Sequence, residues 1–355
     1  MTDRQWAALA RAVFRYPLLV ALIPMVVAFH LATGQFLTGP NLRGIAMDSA
    51  VLLVVAVPGA LLLISGYLDL SVGSTIALGA VTAATLLIDH GTTAGTAIVA
   101  AILAGGLVGL VNGWLCCYAN LSPFIVTLGT LTAIRGLDLL ISPLPRSGFG
   151  DSFGYLGSGQ LLGVPVPIVV AVVVFGVGAA FLGLTPAGRY VYAIGVNREA
   201  AYLSGLAVRR VPLLLYVAAG AAAGLAGTIQ AARLNSAPAG SLGLGFELTV
   251  LTAVLLGGVA FSGGSGTVPG VLLGVLFLGA LQNGLTQLNV PDAWQDVARG
   301  LALVGAAALA LVRLPASLSR RLLPAGPATA TPERAEPPGG GGPGSETAPQ
   351  HDTVP

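Results

Sequence analysis

Few residues in this chain could do chemistry, and their spacing limits what that chemistry is. Asp69 stands alone in SGYLDLSVGS, between two apolar runs. Arg135 and Asp138 lie three apart, as do Asp296 and Arg299 in the opposite order, so each couple can pair on one helix face. Such couples read as structural ion pairs near an interface or, less simply, as solute contacts. Cys116 and Cys117 are adjacent within an apolar run, and His30, His90 and His351 are scattered. Neither pattern has the spacing of a metal site or a disulfide framework, and both cysteines read as small packing residues. Every basic residue is Arg, so no GxxxxGK[ST] loop exists and the chain does not bind ATP in that way. A membrane enzyme would need a convergent nucleophile, base or metal set, which the three scattered histidines do not supply. The remaining polar concentration is NREAAYLSG, residues 197–205, just after the basic, aromatic GRYVYAIGV.

These residues are set in a very apolar chain. Hydrophobic residues make up 55%, charged residues 8%, and the mean hydropathy is +0.87. A soluble domain carries about a quarter charged residues. Too few are present here to cover a water-facing surface, so the fold class is an all-α polytopic membrane protein. About 20 apolar residues cross the hydrocarbon core. That length places about ten spans near 17–34, 45–64, 72–88, 95–118, 122–142, 164–184, 211–231, 247–262, 267–288 and 293–313. The first follows Arg4, Arg11 and Arg15 but is followed by no small-residue cleavage site, so it reads as an uncleaved helix.

Arginine sets the orientation. Three occur in the N-terminal tail, Arg189, Arg198, Arg209 and Arg210 occur in 185–210, and Arg313, Arg320 and Arg321 follow the last span. The positive-inside rule places all three segments in the cytoplasm, against Arg43, Arg135 and Arg146 outside. The expected organisation is a cytoplasmic tail over 1–16, a transmembrane domain over 17–315 with its long cytoplasmic loop at 185–210, and a tail over 316–355. That last stretch, with PPGGGGPGSETAP, is expected to be disordered.

Within the loop, Asn197 suits an N-cap, Glu199 falls in the first turn, Ala200, Ala201 and Leu203 propagate a helix, and Gly205 suits its stop. The product is a short amphipathic helix at the membrane surface, which is either a docking element or a plain connector. Asp69 has two readings as well. It lines a break near a cavity, or it or Ser71 caps the next span. Asn112-Gly113…Pro123…Arg135-Gly136-Leu137 also echoes Asn283-Gly284…Pro291…Arg299-Gly300-Leu301. The echo is offset by five spans, and an odd offset inverts orientation, as in the inverted repeats of transporters. The run GGVAFSGGSG, 257–266, fits close helix packing or a broken helix along a path.

Glu199-Ala200-Ala201…Gly205 resembles the coupling segment of ABC importer permeases. The wider GRYVYAIGVNREAAYLSGLAV resembles permeases for ribose, xylose, galactose and similar monosaccharides, of the branched-chain amino acid/ribose permease superfamily. LDLSVGS at 68–74, NGWLCCYANLSPFIVTLGTLTAIRGL at 112–137 and NGLTQLNVPDAWQDVARGLALV at 283–304 agree with it, so the match spans roughly 45–313. The chain departs at Gly66-Tyr67-Leu68, where that family has Gly-Gly-Ile, and its loop PLPRSGFGDSFGYLGSG has no counterpart we assign. The resemblance implies a multi-pass protein of the bacterial cytoplasmic membrane, working beside a second permease subunit, equal or different. A separate ATPase using ATP and magnesium and an extracytoplasmic sugar-binding protein complete the assembly. This chain itself is expected to bind no cofactor, metal or nucleic acid. Arg198, Glu199, Ala200, Ala201, Leu203 and Gly205 would then couple to the ATPase, with an apolar face from Ala200, Ala201 and Leu203 and a polar rim from Arg198, Glu199, Arg209 and Arg210. Sugars need amides and hydroxyls rather than buried charge, so Asn112, Thr127, Gln282 and Asn283, with Asp69 and Ser71, are the expected path residues. Autoinducer-like furanoses and nucleosides fit the same logic, and an ion-coupled secondary transporter is the remaining alternative.

Overall fold

The computed structural model describes residues 17–311. The tails expected over 1–16 and 316–355 lie outside the described residues. In chain order the elements are α1 (Pro17–Thr33), α2 (Gly39–Ile64), α3 (Val72–Ile88), α4 (Ala94–Cys117), α5 (Pro123–Ile141), β1 (Arg146–Ser147), α6 (Asp151–Ser158), β2 (Gln160–Leu161) and β3 (Val164–Pro165). They continue with α7 (Val166–Leu184), α8 (Pro186–Val196), α9 (Arg198–Leu203), α10 (Arg210–Leu234), β4 (Ser236–Ala237), α11 (Phe246–Leu256), α12 (Val268–Gln287) and α13 (Asp292–Leu311). Each of the ten expected apolar runs falls on a helix. Six helices, α2, α4, α5, α7, α10 and α12, are long and apolar enough to cross a membrane, while α1, α3 and α11 are shorter apolar helices. The run expected at 247–262 breaks early. Its helix ends at Leu256, and Gly258, Gly263, Gly264 and Gly266 adopt positive φ in the loop that follows.

From Ala50 onward helix α2 is apolar on every side, so this part belongs in the centre. Its residues Ala50–Pro58 and Ala60–Ile64 are buried, against α7, α10, α11 and α12. The tightest packing joins α10 to α4. On α4, Ala97, Ala101, Gly105, Gly109 and Gly113 recur every four residues and form one small-residue stripe. A Cβ on Gly105 would strike the carbonyl of Gly220, and a Cβ on Gly220 would strike that of Gly105. Gly109 meets the backbone of Tyr216, and Gly224 meets that of Ala101. Helix α3 joins the same seam through Gly79 against Gly224 and Ile76 against Gly227. In lipid there is little hydrophobic drive between helices, so such close backbone approach supplies the attraction.

The packing repeats in order. Helix α10 lies on α3 and α4 as α2 lies on α11 and α12, and α3 lies on α4 and α5 as α11 lies on α12 and α13. This is the pairing that a repeat offset by five spans requires. At the end remote from α9, the unassigned loop folds over α10. Strand β1 pairs antiparallel with β4, and Phe149 N donates to Asn235 Oδ1 at 3.0 Å. Arg146 donates to Asp89 at 2.7 Å, which holds that carboxyl below its ordinary value.

Two outcomes follow from this packing. Gly105→Ala should destabilise the purified protein by about 1–3 kcal/mol, because the group it strikes is backbone and cannot move aside. Gly183→Ala, where no heavy atom lies within 4 Å of the added Cβ, should leave thermal unfolding in detergent nearly unchanged. For Asp89 the folded value is depressed, so its ion pair is fully present above the ordinary value of 3.8 and is lost as pH falls through the lower folded value. Arg146→Gln should abolish that acid-dependent component of unfolding, read as the difference between wild-type and variant melting temperatures from neutral pH down to strong acid.

Candidate functional site

Three groups of polar residues occupy the fold, at the 185–210 end, in its middle and at the opposite end. At the first, Thr185 Oγ1 accepts from Gly188 N at 3.0 Å and Pro186 starts α8. Asn197 ends α8 and caps α9, its Oδ1 accepting from Ala200 N at 3.0 Å. Gly205, at φ +76, stops α9, with Gly205 N donating to Tyr202 O at 2.9 Å and Leu206 N donating to Ala201 O at 3.0 Å. The caps are those expected, but the faces are not. Ala201 is 4% exposed and packs inward on Ile194 and Val208. It is therefore not part of an outward face with Ala200 and Leu203, since one residue along a helix turns by about 100°. The outward surface is made by Val196 (74% exposed), Tyr202 (66%) and Leu203 (79%), with Glu199 and Ala200 beside them. Arg198 also leaves the expected rim. Its guanidinium lies 5.7 Å from the centre of the Tyr67 ring and donates to Asn120 Oδ1 at 3.2 Å. Arg209 sits 5.8 Å from the Tyr118 ring.

Tyr67 belongs to the break between α2 and α3, where the second group begins. Gly66, at φ +83, turns the chain. Gly264 N donates to Ile64 O at 2.8 Å, and Gly195 of α8 fits so closely against Ile64 O and Gly264 N that a Cβ could not be added. Beyond the turn, Asp69 Oδ1 accepts from Ser71 N at 2.8 Å and from Ser71 Oγ at 2.6 Å. Ser71 Oγ accepts from Asn112 Nδ2 at 2.9 Å, and Asn112 Oδ1 accepts from Thr130 Oγ1 at 2.7 Å. Three expected path residues are thus brought together, joined by Thr130, which the sequence reading missed. The capping reading is not realised as expected: Ser71 stands at the N-cap of α3 but its side chain caps no N–H of the helix, and Asp69 closes a turn onto Ser71 N just before it. Thr127 stands apart, its hydroxyl donating to Pro123 O of its own helix at 2.8 Å.

At the opposite end, a cavity of about 270 Å³ is lined by Asp48, Gln230, Arg233, Thr249, Thr286, Gln282 and Asn283, among others. Arg233 donates to Asp48 at 2.6 Å, and Asn41 Nδ2 donates to Asn283 Oδ1 at 3.0 Å. Gln282 and Asn283 were anticipated, whereas Asp48, Gln230 and Arg233 were not. The available signal was an acid inside the run expected at 45–64 and an Arg just past the run ending at 231. Of the two expected ion pairs, Arg299 and Asp296 do pair, at 2.5 Å. Arg135 does not reach Asp138. It donates to Leu242 O at 2.7 Å and Ala239 O at 3.2 Å, because the 236–245 segment folds against α5, and both Asp138 carboxyl oxygens stay buried without a partner. Among the described residues, no three His, Cys, Asp or Glu side chains converge as metal ligands would.

Residues 41–307 match the model of a family described as branched-chain amino acid transport system / permease component. The chain is 36% identical over 293 residues to the ribose import permease protein of Escherichia coli strain K12, covering 81% of this chain and 90% of that one. It is 37% identical over 289 residues to the L-arabinose ABC transporter permease protein of Azospirillum brasilense, covering 81% and 84%. The D-allose transport system permease protein of Escherichia coli strain K12 is 33% identical over 281 residues, covering 79% and 86%. No solved structure matches.

The central network makes a direct prediction. Asn112→Ala strands half-buried Thr130 and removes the donor to buried Ser71, and should cost about 1–3 kcal/mol. Thr127→Val should cost far less, since the only bond lost is to its own helix; thermal unfolding of the two purified variants in detergent checks the contrast.

Proposed function

This chain belongs to the branched-chain amino acid transport system / permease component family, and we propose that it is the membrane subunit of an ATP-driven importer for a monosaccharide. It is a multi-pass protein of the inner membrane and a transport component rather than an enzyme. Sugars are the solutes named for the relatives that cover most of its length. In this reading the 185–210 segment and both termini face the cytoplasm, a separate subunit binds and hydrolyses ATP with magnesium, an extracytoplasmic protein delivers the sugar, and a second permease subunit completes the path.

The observation that carries the proposal is the two-sided character of α9. Its outward side leaves Tyr202 and Leu203 exposed, next to exposed Val196 at the end of α8, as a helix seated in a partner's groove would. Its inward side is fixed to the fold by Ala201 and by Arg198 on Tyr67, beside the break that carries Asp69 and Ser71. Closure of an ATPase beneath α9 is therefore delivered to the 65–71 break. Glu199 and Ala200 complete the docking side, and Gly205 fixes where it ends. The sugar would enter past Gln282, Asn283 and the Asp48–Arg233 pair, whose amides, carboxylate and guanidinium suit hydroxyl groups. It would leave beside Asp69, Ser71 and Asn112.

The test is radiolabelled monosaccharide uptake into vesicles carrying permease, ATPase and binding protein. Leu203→Asp should weaken ATPase association by about 30-fold, the loss typical of an interface hot spot, and uptake with it. Arg198→Ala should leave the ATPase bound while uptake falls, which separates docking from transmission. Uptake by the permease alone, driven by an ion gradient, would instead make the protein a secondary transporter.

A further inference from the structure

A second cavity, of about 450 Å³, lies between α7 and α10 with α2 as its floor. Every residue lining it is aliphatic, aromatic, Gly or Pro, including Val57, Val177, Phe181, Leu214, Ala218 and Leu225. Neither a sugar nor water finds a hydrogen-bond partner there, and an apolar groove on a helix bundle at hydrocarbon depth is filled by something equally apolar. Two features give it a polarity along its length. It stays apolar up to Ala187 and Val211, at the end bearing the 185–210 segment. Just beyond, Arg189 and Arg210 are exposed, and among the described residues neither forms an ion pair. An apolar slot whose α10 wall leads to Arg210, one turn before Leu214, with Arg189 two residues past Ala187 on α8, matches an acyl chain carrying an anionic head group.

We propose that this groove is a binding site for an anionic phospholipid, with one acyl chain between α7 and α10 and its phosphate facing Arg189 and Arg210. The occupant sits against Val57 and Leu61 of the central helix. It also lies beside α8, so the lipid braces the elements that hold α9. The proposal depends only on the chain spanning a membrane and is independent of which solute is carried.

The full-length chain, purified in detergent and stripped of lipid, is exchanged into nanodiscs of phosphatidylglycerol or of phosphatidylcholine with the same acyl chains. Retained lipid is then counted by native mass spectrometry. The wild type should hold phosphatidylglycerol in preference to phosphatidylcholine. Ala218→Phe, which fills the groove from an exposed position on α10, should lose that retained lipid. Arg210→Gln should keep a bound chain but lower the preference for phosphatidylglycerol about fivefold, the effect of one Arg at a membrane surface. Equal retention of both lipids by the wild type would overturn the proposal. So would undiminished phosphatidylglycerol retention in both variants, and so would an Ala218→Phe effect confined to self-association.

Discussion

The contact between the backbones of α4 and α10 at Gly105 and Gly220 constrains everything around it. Neither position tolerates even a Cβ, because each faces the other's carbonyl. With the axes held that close, Tyr216 lies where its hydroxyl donates to Leu68 O at 2.9 Å, and the chain after α2 is tied to α10. The same approach sets Asn112 of α4 beside Ser71 at the start of α3. The polar network in the middle of the fold is thus positioned by a seam that contains almost no side chain. Small residues suit this role in lipid, where apolar bulk offers helices no advantage over acyl chains.

A second glycine cluster works at the end that carries α9. Gly66, Gly195, Gly263 and Gly264 bring three segments together, the 65–71 break, the end of α8 and the loop between α11 and α12. In the proposed mechanism, motion applied to α9 passes through α8, whose Gly195 presses against Ile64 and Gly264, two positions that are themselves joined by Gly264 N donating to Ile64 O. Arg198 adds a side-chain tie to the same break, through the Tyr67 ring. Two breaks in the helices share this logic. Asp69-Leu70-Ser71-Val72 and Glu247-Leu248-Thr249-Val250 carry the same acid–Leu–hydroxyl–Val order, each just where a short apolar helix begins. They meet in the fold, where Glu247 and the carbonyl of Gly243 crowd Gly73.

How much of this was legible in the sequence varied with the range of the interaction concerned. Apolar runs of crossing length located the ten apolar helices, although α2 begins six residues before its run and α11 ends six residues short of its run, and Asn197 and Gly205 marked the ends of α9, because both signals are local. Which way Ala201 points was not legible, since that depends on Ile194 and Val208 folding back across it. The Asp48–Arg233 pair joins residues 185 apart, and no periodicity links them. Arg135 and Asp138 had the spacing of a helix pair, but carbonyls from the 236–245 segment outcompete the acid. The Asp69 and Glu247 repeat was present in the letters. Four residues are too short a match to stand out until the fold brings the two stretches together at Gly73.

The central claim is that α9 and the glycine cluster move as one body when ATP binds to a partner. Spin labels at two exposed positions, Tyr202 on α9 and Phe261 in the loop after α11, measure this directly in the assembled transporter. The account predicts the same distance distribution without nucleotide and with ATP bound, while a label pair between Tyr202 and Leu288 at the opposite end shifts. A change of several ångströms between Tyr202 and Phe261 on ATP binding would show that α9 slides over the cluster, and would contradict the account.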